Sequence, residues 1–226
     1  MSKFHLSVAT LIGSIIGAGI LGLPFVIAQV GIKTGTIMLL VMGVLLMILN
    51  LQLGEVALRT KEKHQVTGLA NIYLGKFGKE VMTVAMLIGT TGSLVAYTIG
   101  EGLSFASLFG GQPYIYSSLF LIFTAFILIK GLKTLGMFEL IMSLILGAIV
   151  LIVSIIAMPA VKISNFQAPT ASPLMAYGVI LFSLYGITTI PVIKEMITPK
   201  KRLKQAIIAG SLTPLALYIL FTTITI

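Results

Sequence analysis

The chain alternates between long apolar runs and short polar or charged stretches. A helix that crosses a bilayer needs about 20 mostly apolar residues, and the apolar runs predict seven such helices. They lie near residues 6–30, 34–57, 81–108, 114–129, 137–158, 174–193 and 206–226. The pattern therefore predicts an all-α integral membrane protein in which residues 1–226 form a single transmembrane domain.

The first and sixth predicted helices contain the same interruption. Residues 19–24 read GILGLP and residues 186–191 read GITTIP, so both follow Gly-Ile-x-x-(Leu/Ile)-Pro at an offset of 167 residues. Glycine and proline break helical hydrogen bonding, and broken backbone inside a bilayer is tolerated only where protein or a water-filled cavity satisfies its polar groups. The pair predicts that helices 1 and 6 are broken and that they border a transporter's substrate site.

The offset also predicts an internal repeat. Five spans separate the start of the first interrupted helix from the start of the sixth, and an odd number of spans inserts the second copy upside down, as in a five-plus-five inverted-repeat transporter fold. Residues 1–167 would form the first repeat, with five spans and an outer loop, and residues 168–226 the first two spans of the second. Counterparts of spans three to five are missing, so the chain is expected to be about seven-tenths of a ten-span core. A fragment, one half of a split gene and a reduced protein all fit this pattern.

Composition and charge place the chain in a membrane and indicate its orientation. With 58% hydrophobic residues, 9% charged residues and a mean hydropathy of +1.12, it has too little polar surface for a soluble globule. The net charge of +9 comes from short basic clusters between apolar runs, which argues against nucleic acid as a partner. On one side of the predicted helices lie 13 basic residues and on the other 2, which predicts a cell-membrane protein with a cytoplasmic amino terminus.

The segment around residues 15–19 carries the predicted binding chemistry. Small residues crowd this part of the first helix, which favours an unwound segment over a kinked helix whose Gly13 and Gly17 serve only packing. Freed amides at the start of the outer half-helix, aided by its dipole, can bind a carboxylate, and freed carbonyls can bind an ammonium group. A substrate with both groups is an amino acid. Phe182 and Tyr185 beside the second break are candidates for its side-chain pocket, although Phe182 equally fits ordinary packing.

A polar stripe follows the third predicted helix. Ser93, Tyr97, Gly100, Glu101 and Ser104 share one helical face. Tyr97 is a candidate for substrate contact. Glu101 should face the bundle interior or a cavity, where it would bind a proton, hold a gate or pair with a backbone or tyrosine group.

Enzymatic chemistry is not expected. The chain lacks cysteine and aspartate, and its histidines, His5 and His64, lie at the predicted cytoplasmic edge. The sequence offers no catalytic triad, metal-binding cluster or paired carboxylates, so no catalytic residue, metal ligand or cofactor is predicted. Proton and sodium both stay open as a coupling ion.

Residues 13–24, GSIIGAGILGLP, resemble the first-helix signature of amino-acid permeases in the amino acid/polyamine/organocation superfamily, and in particular its amino acid/auxin permease and aromatic amino-acid permease branches. Residues 182–186, FSLYG, and Glu195 followed by PKKR at 199–202 add to the resemblance. It implies alternating access with the substrate held between helices 1 and 6. It further implies that the substrate backbone contacts Ile15, Gly17, Ala18 and Gly19, with Tyr185 and Gly186 on the opposite side.

The expected function is secondary active transport of amino acids, including aromatic or neutral ones. In sodium-coupled relatives an eighth helix contributes to the ion site, and that helix is absent here. Some proton-coupled relatives have a lysine in helix five instead, but residues 140–158 contain no lysine. The alternatives are an amino-acid receptor subunit and a nonfunctional permease fragment. The expected partners are an amino acid, membrane lipid and a second chain that supplies the missing helices.

Overall fold

A computed structural model describes residues 3–17, 19–129, 132–160, 171–197 and 199–226, without the side chains of 128, 132–144 and 160. These residues form nine α-helices and three short 3₁₀ helices, the latter at Met158–Ala160, Ile187–Thr189 and Lys200–Arg202. The α-helices are α1 (Lys3–Ile15), α2 (Gly19–Val30), α3 (Ile32–Arg59), α4 (Val66–Phe109), α5 (Pro113–Ile129), α6 (Leu132–Ala157), α7 (Leu174–Ser183), α8 (Ile190–Met196) and α9 (Leu203–Thr225).

Helices occupy all the regions where the apolar runs predict them. Within the described residues, four helical segments are long and apolar enough to cross a membrane, or five when the bent pair α1 and α2 counts as one span. The described parts of α5 and α6 add shorter apolar helices. The prediction of an all-helical integral membrane protein is thus confirmed, whereas seven spans and the inverted-repeat fold stay predictions.

The chain divides into two compact units, of which the first comprises Met1–Gln65 and Leu140–Ile226. In this unit α9 packs against α1 and α3, and α2 packs against α7. Glycines permit the close approach of these helices: a Cβ atom on Gly210 would lie 2.7 Å from Leu11, and one on Gly43 would lie 2.7 Å from Leu215. Small residues at such contacts are typical of helices packed in membranes, where van der Waals contact replaces the hydrophobic effect.

Polar contacts tie the end of α8 to the segment that follows α3. The ammonium group of the buried Lys194 donates to the carbonyl oxygens of Thr60 and Glu62 at 3.3 and 3.4 Å. Lys63 forms an ion pair with Glu195 at 3.1 Å. These contacts pair the buried ammonium group and the carboxylate of Glu195 with partners on the segment after α3.

The second unit, Val66–Glu139, contains the hairpin of α4 and α5. Gly75 interrupts α4 with a φ of 70°, a value that glycine adopts without strain. The kink separates a short first part of α4 from its long remainder. The Ser117 hydroxyl donates to the Thr98 carbonyl at 2.9 Å and joins the two helices.

Gly102 is expected to be essential for the packing of α4 on α5. A Cβ atom at this position would lie 2.6 Å from the Pro113 carbonyl oxygen and 2.1 Å from Ser117 Oγ, so Gly102→Ala must move the helices apart. Overpacking of this kind costs about 1–3 kcal/mol. Gly100→Ala is the matched control, because no atom lies within 4 Å of the added methyl group there. Thermal denaturation in detergent should show a lower midpoint for Gly102→Ala, and equal midpoints for the two variants would contradict the packing described.

Candidate functional site

The first unit contains two interrupted helices. The first interruption separates the end of α1 at Ile15 from the start of α2 at Gly19, and the two helix axes are bent by 54°. The second follows the end of α7 at Ser183 and includes the 3₁₀ helix Ile187–Thr189 before α8. The repeated motif begins at both places: Gly19 is the first residue of α2, directly after the first interruption, and Gly186 lies within the second. The glycine and proline pattern therefore predicts the position of both.

The two interruptions approach each other closely. A Cβ atom on Gly19 would lie 2.9 Å from Ser183 Cα and 2.6 Å from Ser183 Oγ. A Cβ atom on Gly186 would lie 2.6 Å from Ile15 Cγ1. Both glycines are buried, so a side chain at Gly19 would push α2 away from α7, and one at Gly186 would displace the side chains of Ile15 and Leu11.

Tyr218 on α9 joins the ends of the two interrupted helices. Its hydroxyl donates to the Ile15 carbonyl at 2.8 Å and to the Ser183 carbonyl at 3.1 Å. These carbonyls belong to the last turns of α1 and α7, where helix geometry leaves acceptors without an intrahelical donor. Because Tyr218 is 0% exposed, its hydroxyl and both carbonyls satisfy one another away from water.

A second polar contact links the same segments. The Thr189 hydroxyl donates to Ser14 Oγ at 2.5 Å. Ser14 lies in the last turn of α1, and Thr189 ends the 3₁₀ helix of the second interruption. Together with Tyr218, this contact holds α1 against both sides of the second interruption.

Backbone amides begin α2 directly after the first interruption. In the first turn of α2, Ile20 N–H donates to the Gly17 carbonyl at 3.2 Å, while helix geometry leaves the neighbouring first-turn amides without intrahelical acceptors. The positive end of the helix dipole lies at the same place. Binding of a carboxylate by these amides, as the sequence predicts, stays a prediction.

Most of the predicted site residues lie at the two interruptions, whereas two others, Tyr97 and Glu101, lie in the second unit. Five of them, Ile15, Gly17, Gly19, Phe182 and Gly186, lie at the interruptions with limited exposure. Tyr185 lies there too, with 45% of its surface exposed. Ala18 lies outside the described residues. Their roles in substrate binding stay predictions.

Tyr97 and Glu101 lie on α4 in the second unit. Glu101 lines a cavity of 560 Å³ whose other walls are the apolar and aromatic side chains of α4 and α5, including Phe105, Tyr116 and Phe120. The Ser104 hydroxyl of the same polar stripe donates to the Gly100 carbonyl within α4. The coupling or gating role predicted for Glu101 stays a prediction.

Sequence reasoning misses Tyr218 as part of this region, and it does not predict the contact between Ser14 and Thr189. Tyr218 could have been noticed in the sequence as a tyrosine within an apolar run. A tyrosine buried there needs a hydrogen-bond partner for its hydroxyl. That signal does not identify the partners, which lie 203 and 35 residues away along the chain.

Comparisons with known proteins find transport proteins. The chain is 23% identical to glutamine transporter 2 of Aliivibrio fischeri, in an alignment that covers 97% of the chain. It is 26% identical to tyrosine-specific transport system 1 of Haemophilus influenzae, in an alignment that covers 98% of the chain. It spans 59% and 57% of the lengths of these relatives. No solved structure shows a significant match.

The relatives' names describe transport of amino acids, in agreement with the expectation that the chain is not an enzyme. The apolar helices likewise indicate a multi-pass membrane protein. The match to a family of permeases extends from residue 1 to residue 226, the whole chain. The protein therefore belongs to the Tryptophan/tyrosine permease family.

Proposed function

We propose that the protein carries out secondary active transport of amino acids across the cell membrane, with the substrate bound where α1–α2 and α7–α8 are interrupted. The observation that carries the proposal is the pair of interruptions, joined to each other through the Tyr218 hydroxyl. The amides that begin α2 would bind the substrate carboxylate, and backbone carbonyls within the two interruptions would bind its ammonium group.

The names of the relatives support an amino acid as substrate. One is named for glutamine and the other for tyrosine, both of which are neutral overall. Backbone groups recognise the carboxylate and ammonium that all amino acids share, so the side chain would be selected elsewhere, with Phe182 and Tyr185 as candidates. Aromatic or other neutral amino acids are therefore the proposed substrates.

Alternating access would follow from movement around the interruptions. A broken helix can change the angle between its halves without breaking regular helical hydrogen bonds, because those bonds are already absent at the break. The seven spans, the inverted repeat and a cytoplasmic amino terminus belong to this proposal, and proton or sodium would drive the cycle.

Uptake by purified protein in proteoliposomes tests the proposal. Tritiated tyrosine and tritiated glutamine would be offered with a proton gradient, with a sodium gradient and with neither, against empty liposomes. We expect saturable accumulation that one gradient increases and that excess unlabelled substrate abolishes. Substrate binding without uptake would contradict transport by this chain and would favour a receptor subunit or an incomplete carrier. The absence of both binding and uptake would contradict the site as well.

A further inference from the structure

A groove lies between α3 and α9 in the first unit. It has a volume of 370 Å³ and mainly apolar walls, formed by Ile48, Leu51, Leu58, Leu203 and Ile207. The two residues from α9 are each 1% exposed, whereas Ile48 and Leu58 on α3 are 42% and 39% exposed. The groove is therefore closed at its base and open along one side.

The shape of the groove depends on a glycine of α3. A Cβ atom on Gly54 would lie 2.6 Å from Ile207 Cδ1, so the two helices are in close contact at this position. Both helices are long and apolar enough to span a membrane. The polar members of the lining are Gln52, Glu55 and Lys204, and most of the remaining wall is apolar, which favours a hydrocarbon chain as the occupant.

Basic side chains cluster at the end of the groove where α9 begins. Residues 200–204 read KKRLK, and Lys204 lines the groove itself. Lys200 is engaged, because its ammonium group donates to the Lys194 carbonyl. Within the described residues, Lys201, Arg202 and Lys204 are exposed and form no ion pair.

The carboxylate in the groove does not cancel this charge. Glu55 lines the groove, but it is neutralised by an ion pair with Arg59 at 2.5 Å. The three cations of Lys201, Arg202 and Lys204 therefore leave a net positive rim beside an apolar channel. Phosphate groups of lipids are attracted to such clusters at the ends of membrane-spanning helices.

We infer that this groove binds an anionic phospholipid, with an acyl chain between α3 and α9 and the headgroup held by Lys201, Arg202 and Lys204. The apolar channel and the basic rim each match one half of the same molecule. A zwitterionic lipid fits the channel equally well but brings its own cation to the rim, so the site selects for net negative charge. The inference is independent of transport, because it concerns occupancy of a surface groove.

Electron paramagnetic resonance of spin-labelled lipid tests the inference. The full chain would be reconstituted in phosphatidylcholine nanodiscs with trace phosphatidylglycerol or trace phosphatidylcholine, each spin-labelled on an acyl chain. We expect an immobilised component with phosphatidylglycerol favoured over phosphatidylcholine. Each cation near the membrane surface changes the affinity for an anionic lipid by about fivefold. The preference for phosphatidylglycerol should therefore fall by at least about tenfold in the triple variant Lys201→Gln/Arg202→Gln/Lys204→Gln.

Two further variants separate this site from general attraction to positive charge. Lys61→Gln/Lys76→Gln/Lys79→Gln removes the same number of charges elsewhere and should retain the preference. Leu58→Trp should fill the open side of the groove and reduce the immobilised component while the basic rim stays intact. Size-exclusion chromatography would verify that each variant is folded.

Several results would overturn the inference. Equal loss of preference in both triple variants would show diffuse electrostatic attraction in place of a site. An unchanged immobilised component in Leu58→Trp would exclude the groove as the place of the acyl chain. Displacement of phosphatidylglycerol by millimolar inorganic phosphate would assign the rim to a free anion instead of a lipid.

Discussion

Gly19→Ala is expected to lower the affinity for an amino-acid substrate at least tenfold while the protein stays inserted in the membrane. The added Cβ atom would lie 2.9 Å from Ser183 Cα, a backbone atom that cannot rotate away. The start of α2 must therefore move relative to the end of α7. Charge-assisted hydrogen bonds each contribute about 1.5–3 kcal/mol, and the loss of one from the proposed carboxylate site corresponds to about tenfold or more in affinity.

Gly22→Ala is the matched control for this prediction. It lies one turn further along α2, and its added Cβ atom would meet only the side chain of Val179, at 3.3 Å. Scintillation proximity binding of tritiated tyrosine and glutamine would compare both variants with the parent protein, and membrane extraction would confirm insertion. Parental affinity in a correctly inserted Gly19→Ala protein would contradict the proposed site at the first interruption.

Much of the helical architecture follows from the spacing of apolar residues. The long runs near residues 34–57 and 206–226 correspond to α3 and α9, because each is long enough to cross a bilayer and has charges only near its ends. The interruptions are also predictable, because glycine and proline act on the local backbone. Such local effects can be recognised without knowledge of any distant partner.

The same motif nevertheless gives different local structures at its two positions. Pro24 lies within α2, where the helix continues through it, whereas Pro191 lies in the first turn of α8. In the second copy the β-branched residues Thr188 and Thr189 stand in place of Leu21 and Gly22, and a 3₁₀ helix forms. The Thr189 hydroxyl is used in a contact with α1, for which the first copy has no equivalent side chain.

Contacts between distant segments could not be predicted from the sequence. The sequence marks Gly19 and Gly186 as breaks, but their second role, close packing against Ser183 and Ile15, depends on how the helices are arranged. The same holds for the Gly54 contact that shapes the groove between α3 and α9. Periodicity identifies a helix face, while the residue opposite that face is set by the tertiary packing of the whole unit.

Tyr218→Phe is expected to lower the free energy of unfolding by about 1–2 kcal/mol and to weaken substrate binding. The aromatic ring and its packing are retained, so the change removes only the hydroxyl. The carbonyls of Ile15 and Ser183 would then lose a buried donor, and both lie at the ends of interrupted helices. Loss of this shared donor should loosen α1 and α7 relative to α9, which would misplace the backbone groups proposed to bind the substrate.

Tyr177→Phe is the matched control, because it also removes a tyrosine hydroxyl, but from a residue of α7 that has 48% of its surface exposed. The comparison shows whether the effect belongs to the Tyr218 contact or to any lost tyrosine hydroxyl. Equilibrium denaturation with SDS would measure stability, and binding of tritiated tyrosine and glutamine would measure function. A lower stability in Tyr218→Phe with unchanged affinity would assign the hydroxyl to folding alone. Unchanged stability and affinity would contradict its role in joining the two interruptions, since two buried carbonyls would then have lost their donor without effect.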